Sequence, residues 1–399
     1  MIGLLALILV SALATGEGNL YRLSYFLALA IASCYAWAWL NLLRVGVWVD
    51  EQSPAAQVGD TLDGFIYVHN DSALPTGWLE IEQVSDMPGH VCQGATRLPA
   101  RGWERWKTEM ICYARGAYTV GPLVVGSSDP LGLFRVQRSR GTPVEVMIYP
   151  PVVPLPRFRV PAAELSGEQG LLHRRRVISP SVGTVRQYEH GDSLNRIHWP
   201  STAKFGELMS KDFDSGRSSD LWVIVDLQRE ICRSTGTEST DEYAVSIAAS
   251  VANIALSEEC SVGLIAYGDR EHFLPLGNGA TQMSRMLEML AVSKTEGEVP
   301  LHEILSESVT RLSRFTSLLV ITSSTVTEWA SVVEDLTYRG LVIGVVLIDP
   351  MSFGADESSH EVSVKLVGTG IPVYVVKSGD ALGSALTRPI SMHELLTVQ

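Results

Sequence analysis

The stretch that most constrains the fold is LSYFLALAIASCYAWAWLNLL, residues 23–43, which contains no charged residue. The hydrocarbon core of a bilayer is about 30 Å thick and needs roughly 20 helical residues to cross it. Tyr35, Trp37 and Trp39 cluster in the second half, where an aromatic belt would lie at the membrane surface. No polar stripe marks one face, as it would on the helix of a soluble core. The stretch therefore predicts a transmembrane helix.

A second uncharged segment, MIGLLALILVSALATG, precedes it. We expect an uncleaved first helix that forms a hairpin with the second, so that residues 1–43 hold two transmembrane helices. The alternative is a signal peptide cleaved near Ala12-Leu13-Ala14, although the segment lacks a positive amino-terminal region. Arg22 and Arg44 balance each other under the positive-inside rule, so charge does not assign the side. The prediction is a multi-pass protein of the cell membrane.

The rest of the chain divides by pattern into three parts. Residues 44–150 carry short β-rich runs separated by turn signals, which predicts a β-sandwich domain. Residues 151–217 form a connector that begins with a proline-rich, extended stretch. In residues 218–399, continuous apolar runs such as LWVIVDL and SLLVIT alternate with helical periodicity, which predicts a doubly wound α/β domain. The soluble part is thus of mixed α+β class.

Composition excludes several functions. The formal net charge of −13 argues against nucleic acid as a partner, because binding phosphates needs a basic surface. The five cysteines are an odd number and include no CxxC pair, which argues against zinc and thioredoxin-type chemistry.

The connector contains the segment VRQYEHGDSLNRIHWPSTAKFGELMSKDF, residues 185–213, which is rich in the residue types of a functional site. One hypothesis makes Asp192 and His198 the acid–base pair of a hydrolase, although the pattern offers no nucleophile or oxyanion hole. The other is structural: a turn at residues 189–192 is locked by arginine–carboxylate pairs, and Ile197 and Trp199 pack on one face of a strand. Such a brace would join the two soluble domains and offer its polar face to a partner.

DPLGLF at residues 129–134, followed by YP, by GTVRQYEHGDSLNRIHWPSTAKFGEL and by an α/β pattern, resembles the domain of unknown function 58 family over essentially the whole chain. The signature positions that carry the resemblance are Arg186, Tyr188, Gly191, Asp192, Arg196, His198, Trp199 and Lys204. The resemblance implies a bacterial membrane-anchored protein with cytoplasmic soluble domains and a carboxyl-terminal domain like a von Willebrand factor type A domain. It further implies a scaffold or adaptor that binds other proteins, a MoxR-type AAA+ ATPase among them, and that is not an enzyme.

The same resemblance implies a place for a divalent cation. Von Willebrand type A domains can hold Mg²⁺ or Mn²⁺ with an Asp-x-Ser-x-Ser ligand set after the first strand, a threonine, and a second aspartate. Here Asp226 remains and Thr281 is the candidate threonine, but both serines are absent and Ser323-Ser324 replaces the second aspartate. We expect a degenerate site without a cofactor, whose sheet edge contacts proteins; the alternative is a cation-dependent ligand-binding module.

Overall fold

A computed structural model describes residues 2–51, 55–159, 184–188, 197–212, 220–236, 238–308, 311–312 and 316–396. The chain forms two compact units, Met1–Tyr149 and Pro150–Gln399. The predicted mixture of an apolar amino-terminal helix, other helices and β-sheets is confirmed.

The first unit begins with two helices, α1 (Ile2–Thr15) and α2 (Gly18–Leu43). The helices pack on each other across a turn in which Gly16 has a φ of +70°. Among the described helices, α2 alone is long and apolar enough to cross a membrane, a property that signal sequences and buried core helices can share. The 14 residues of α1 rise only about 21 Å, so the predicted second span is not supported.

Nine strands follow α2, and only Arg44 separates α2 from the first of them. They are β1 (Val45–Glu51), β2 (Ala55–Gln57), β3 (Thr61–Asn70), β4 (Leu79–Ser85), β5 (Cys92–Thr96), β6 (Trp103–Ile111), β7 (Gly116–Ser128), β8 (Arg135–Arg140) and β9 (Val144–Tyr149). One sheet has the order β1-β3-β6, and the other has the order β2-β9-β7-β4-β5 with β8 also paired to β7. Val47 and Ile66 of the first sheet share a core with Ile81 and Val125 of the second. The two sheets therefore pack face to face, and together they are called the sandwich.

The second unit begins with the proline-rich segment, which is not a free linker. Leu155 and Phe158 are 2% and 5% exposed and belong to the core of this unit. The Val153 amide donates to Ser250 Oγ at 2.9 Å, and the rings of Phe158 and Tyr374 lie 5.4 Å apart. Residues 151–159, which the pattern assigns to the connector, are therefore held by apolar side chains that alternate with the prolines.

The strands of the second unit are β10 (Thr184–Gln187), β11 (Met209–Asp212), β12 (Asp220–Asp226), the two-residue pair β13 (Ser234–Thr235) and β14 (Glu238–Ser239), β15 (Ser261–Tyr267), β16 (Glu271–Gly277), β17 (Ser317–Thr322), β18 (Val342–Ile348) and β19 (Val373–Val376). Its described helices are α3 (Trp199–Phe205), α4 (Thr240–Ser257), α5 (Gly279–Val292), α6 (Leu301–Ser308), α7 (Glu328–Tyr338), α8 (His360–Gly368), α9 (Leu382–Ala385) and α10 (Met392–Leu396).

A six-stranded sheet of order β16-β15-β12-β17-β18-β19 forms the centre of this unit. Neighbouring strands are parallel except β16, which is antiparallel to β15 at the edge. One face packs against α4, α5 and α9, and the other against α6, α7 and α8. The strands are buried on both faces, which explains why their sequences are continuous apolar runs rather than alternating ones.

Candidate functional site

The signature segment builds a small ribbon. Strands β10 and β11 pair antiparallel, with Arg186 opposite Ser210, and the Tyr188 amide extends the pairing by donating to Leu208 O at 2.8 Å. Ile197 forms a further antiparallel bridge to Ser210. The predicted turn lies outside the described residues, together with Gly191, Asp192 and Arg196. Nothing in the structure therefore bears on the proposed arginine–carboxylate lock.

The predicted strand is found only at Ile197, because Trp199 begins helix α3 instead. His198 caps this helix, since its Nδ1 accepts from the Ser201 amide at 3.3 Å. Pro200 occupies the first turn, where a missing N–H costs nothing. At the other end, Gly206 takes the left-handed conformation with φ +73°, which ends the helix. The Thr202 hydroxyl then accepts from the Met209 amide at 3.0 Å and ties α3 to β11.

Apart from Ile197, the large apolar side chains of residues 197–208 face outward. Ile197 is 5% exposed, whereas Trp199 is 65% and Phe205 is 63% exposed. Leu208 is also exposed, and Lys204 Nζ lies 5.5 Å from the centroid of the Phe205 ring. The helix thus uses its polar groups to hold its own ends and presents aromatic rings to its surroundings.

His198 also faces a hydroxyl. Its Nδ1 lies 2.8 Å from Ser201 Oγ, a contact that joins a base to a possible nucleophile. Ser201 is its one side-chain hydrogen-bond partner among the described residues, so no orienting carboxylate is present there. The same Nδ1 accepts the Ser201 amide, which is the geometry of a helix cap.

The second place of interest is the edge of the central sheet where the parallel strands end. Asp226 closes β12 and is 4% exposed. Its Oδ2 accepts from Thr322 Oγ1 at 2.8 Å, and its Oδ1 accepts from the Gln228 amide at 3.2 Å. Burial raises the pKa of the Asp226 carboxyl to about 6, although these two hydrogen bonds act in the opposite direction.

The neighbouring side chains at this edge bond to the protein as well. Ser323 Oγ donates to Ile231 O at 3.0 Å, and the Ser324 amide donates to Thr322 Oγ1 at 2.9 Å. Asp349, which follows β18, accepts from both the amide and the hydroxyl of Ser359 at 3.0 Å. These side chains therefore form hydrogen bonds within the protein, which hold the loops after β17 and β18 in place.

The sheet places Thr281 far from Asp226, which corrects the predicted pairing of the two. Asp226 lies opposite Tyr267, at the end of β15, whereas Gln282 beside Thr281 donates to Val262 O at its start. These positions are about 16 Å apart along the strand. The threonine that contacts Asp226 is Thr322, and the signal for it was a polar residue at the end of a buried run.

These residues do not fit a divalent cation. Mg²⁺ and Mn²⁺ require about six oxygens, usually with carboxylates among them. Asp226 is one carboxylate, and both of its oxygens already accept hydrogen bonds from the protein. Within the described part of the chain, no group of three His, Cys, Asp or Glu side chains could hold a metal ion.

Part of the second unit is similar to known proteins. Residues 184–354 match the family model described as protein of unknown function DUF58. The match contains the signature segment and β12 to β18 of the sheet. The uncharacterized protein YeaD of Bacillus subtilis (strain 168) is 24% identical over 225 residues, 55% of this chain and 53% of that protein. The chain thus spans about half the length of the curated relative that it matches.

Solved structures add little. The CARDB domain of the PF1109 protein from Pyrococcus furiosus is 11% identical and covers 26% of this chain and 91% of that chain, with a TM-score of 0.21. A chain of the complex between Zinc 2-glycoprotein and Prolactin inducible protein from human seminal plasma is 10% identical and covers 27% of this chain and 98% of that chain, also with a TM-score of 0.21. Scores of this size carry no argument about fold or function.

Proposed function

We propose that this protein is a non-enzymatic, membrane-anchored adaptor that binds other proteins through the signature segment of its second unit. Its partner, on the family resemblance, is an AAA+ ATPase of the MoxR type. Helix α2 is the anchor, and the resemblance puts the soluble units on the cytoplasmic side. The adaptor would present a client to the ATPase during assembly or maturation.

One observation carries the proposal: Trp199 and Phe205 are about two-thirds exposed on helix α3, where the described polar groups of His198 and Thr202 hold the helix in place. Burying an aromatic ring removes a large apolar area from water, and tryptophan is among the residues that most often dominate binding energy at interfaces. A catalytic segment would show the reverse pattern, with polar groups free to reach a substrate.

The carboxyl edge of the central sheet supports the same proposal. Open α/β sheets bind ligands at this edge. Here hydrogen bonds from Thr322 and Gln228 occupy the Asp226 carboxylate, while Val326 and Met351 are 50% and 55% exposed in the loops after β17 and β18. A von Willebrand type A-like domain with a degenerate site fits this description, and the edge would contact protein rather than a cation. The cation-dependent alternative predicts that Mg²⁺ or Mn²⁺ raises the melting temperature of wild type but not of Asp226→Ala.

The test of the adaptor is co-purification of the full chain from gently solubilised native membranes with ATP present. We expect an AAA+ ATPase with the wild-type chain and at least about a tenfold loss with the double variant Trp199→Ala/Phe205→Ala, since two aromatic anchors contribute more than about 1.4 kcal/mol. Tyr338→Ala is the matched control, because Tyr338 is an aromatic residue of the same unit and 80% exposed. Equal recovery of the ATPase with all three chains would refute the proposed contact.

A hydrolase that uses Ser201 and His198, rather than the predicted pair Asp192 and His198, is a second candidate because His198 Nδ1 lies 2.8 Å from Ser201 Oγ. A Ser–His pair in use should react with a fluorophosphonate probe, and the label should be lost in Ser201→Ala. If His198 serves only as a helix cap, the probe should label neither the wild-type chain nor Ser201→Ala. In the capping interpretation, His198→Asn keeps most of the stability that His198→Ala loses, because asparagine is a good N-cap residue.

A further inference from the structure

The carboxyl-terminal half of α2 lies against the sandwich. Cys34, Ala38 and Leu42, which are spaced four residues apart on one helical face, are at most 8% exposed. Asn41 joins the two parts, because its Nδ2 donates to Ser127 Oγ and its Oδ1 accepts from the Gly77 amide, both at 3.3 Å. Further up the helix, the ring of Tyr35 meets that of Phe134 edge to face at 5.6 Å. The sandwich therefore extends along the helix as far as Tyr35.

This contact limits where a bilayer can lie. Helix α2 has 26 residues from Gly18 to Leu43, and a span needs roughly 20 of them. A window of that length within α2 ends between Trp37 and Leu43, and each such window includes Tyr35. Tyr35 then lies two to eight residues inside the span, or about 3 to 12 Å along the axis. Because Phe134 touches Tyr35, the loop that carries Phe134 lies at the same depth.

That loop is DPLGLF, residues 129–134, between β7 and β8. Asp129 is 5% exposed and holds the loop by hydrogen bonds. Its carboxylate accepts from the Leu131 amide at 2.9 Å and from the Phe134 amide at 2.6 Å. The Gly132 amide donates to Asp129 O at 3.0 Å. Backbone amides that are satisfied within the loop are a condition for entering an apolar medium.

The outer surface of the loop is apolar. Its residues after Asp129 are Pro130 to Phe134, none of them charged, and Leu131 at the tip is 65% exposed. Trp78 is 63% exposed and follows Gly77, the residue that binds Asn41, so an aromatic ring lies at the same end of the sandwich. Apolar and tryptophan side chains in this arrangement are typical of the membrane–water interface.

Positive charge lies just behind the loop. Strand β8 carries Arg135, Arg138 and Arg140 and no acidic residue. Arg138 Cζ lies 5.9 Å from the centroid of the Trp39 ring. Trp39 is one helical turn after Tyr35, toward the carboxyl end of α2. Arg135 pairs with Glu80 at 2.5 Å, which leaves Arg138, beside Trp39, as the cation of this strand that is placed to meet lipid phosphates. An apolar tip backed by arginine fits a lipid surface better than a protein groove.

We propose that the 129–134 loop inserts into the interfacial layer of the bilayer beside α2, so that the sandwich lies directly on the membrane. The proposal rests on α2 being the membrane anchor. It gives the DPLGLF sequence a role: Asp129 shapes the loop, and Leu131, Leu133 and Phe134 are its lipid-facing surface.

Fluorescence quenching of the full chain in nanodiscs of phosphatidylcholine and phosphatidylglycerol tests this. The dye NBD is attached to Leu131→Cys, and to two reference variants with similarly exposed side chains: Leu29→Cys, 68% exposed on α2, and Val91→Cys, 79% exposed at the far end of the sandwich. Cys232 is replaced by serine, because it is the one partly exposed thiol of the five, all of which lie in the described residues.

We expect the dye at position 131 to be quenched by a doxyl group near the headgroups, to emit at shorter wavelength than at position 91, and to lose iodide quenching. At position 29 a deep doxyl group should quench. If the dye at position 131 shows the emission and iodide quenching of the dye at position 91, while deep doxyl lipid quenches the dye at position 29, the loop proposal is refuted and the proposed anchor stands. If 29 is quenched by iodide, the anchor fails and the loop proposal with it. If neither iodide nor doxyl lipid quenches at 131, protein covers the loop, as in contact with a second copy, and the proposal is wrong.

Discussion

Asp226→Asn tests the electrostatics of the sheet edge, because the substitution removes a charge and keeps the shape. Burial raises the pKa of the carboxyl from 3.8 to about 6. Two pKa units correspond to about 3 kcal/mol, which is the free energy by which ionisation of Asp226 destabilises the folded chain. Asparagine carries no such penalty, but it cannot accept from both Gln228 and Thr322, and losing one of these hydrogen bonds costs about 1 kcal/mol.

The sign depends on pH. Because the folded chain holds the proton more tightly than the unfolded chain, the contribution of Asp226 to stability is fully present below about pH 4 and is lost as pH rises through about 6. We therefore expect Asp226→Asn to be less stable than wild type by about 1 kcal/mol near pH 4 and more stable by about 2 kcal/mol near pH 7.5.

The measurement is the unfolding free energy of the second unit in the detergent-solubilised full chain, read by pulsed hydrogen exchange of peptides from β12 and β17 across a urea series. Asp220→Asn is the control, since Asp220 begins the same strand and is only half-buried. A wild-type stability that does not change between about pH 4 and 7, or an asparagine variant that is weaker at both ends of this range, would refute the reasoning.

Three substitutions test the packing. Asn41→Ala removes the hydrogen bonds to Ser127 and to the 77 amide, and should cost the first unit about 1–2 kcal/mol in a urea titration. Gly263→Ala would place a Cβ 2.6 Å from the Trp222 ring, so we expect a loss of about 1–3 kcal/mol in the second unit. Phe158→Ala should destabilise the second unit by about 3–5 kcal/mol, because this ring is part of its core.

Exposed neighbours serve as controls for two of these variants. Ser33→Ala on α2 and Arg157→Ala beside Phe158 should change stability by less than about 0.5 kcal/mol. An equal effect of Arg157→Ala and Phe158→Ala would mean that the proline-rich segment is a linker after all. Unchanged melting of Gly263→Ala would mean that Trp222 can move without cost.

The sequence predicts the central sheet well because both faces of its strands are buried. A strand covered on both sides needs apolar residues at every position, so β12, β17 and β18 appear as continuous runs. The site was harder to predict. Thr281 follows β16, which is antiparallel to β15, so the chain returns to the opposite edge of the sheet before Thr281. Whether two neighbouring strands run parallel or antiparallel depends on the tertiary structure, and the local residue pattern of a strand does not reveal it.

Two other features have weak local signals. Helix α3 is seven residues long and is capped by a histidine, a residue outside the usual N-cap set, so alternation at residues 196–199 suggested a strand. The packed face of α2 was hidden for a different reason: a helix that is apolar all round does not reveal which side meets protein and which meets lipid. Cys34 and Ala38 face the sandwich, yet they are no more apolar than Leu29 or Phe26, which are exposed.

Only Arg44 lies between α2, the proposed anchor, and β1 of the sandwich, so the helix and the sandwich are directly connected. Asn41 and the buried Leu42 fix the joint, so a change in the tilt of α2 turns the sandwich by the same angle. Membrane helices are tilted by about 20° on average, and a hydrophobic stretch that is longer than the bilayer is thick accommodates the difference by tilting. At Thr61, the end of β3 that lies far from α2 and about 33 Å from the other end of this strand, a turn of about 20° moves the chain by about 12 Å. With α2 as the proposed anchor, bilayer thickness would then determine the direction in which the far end of the sandwich points.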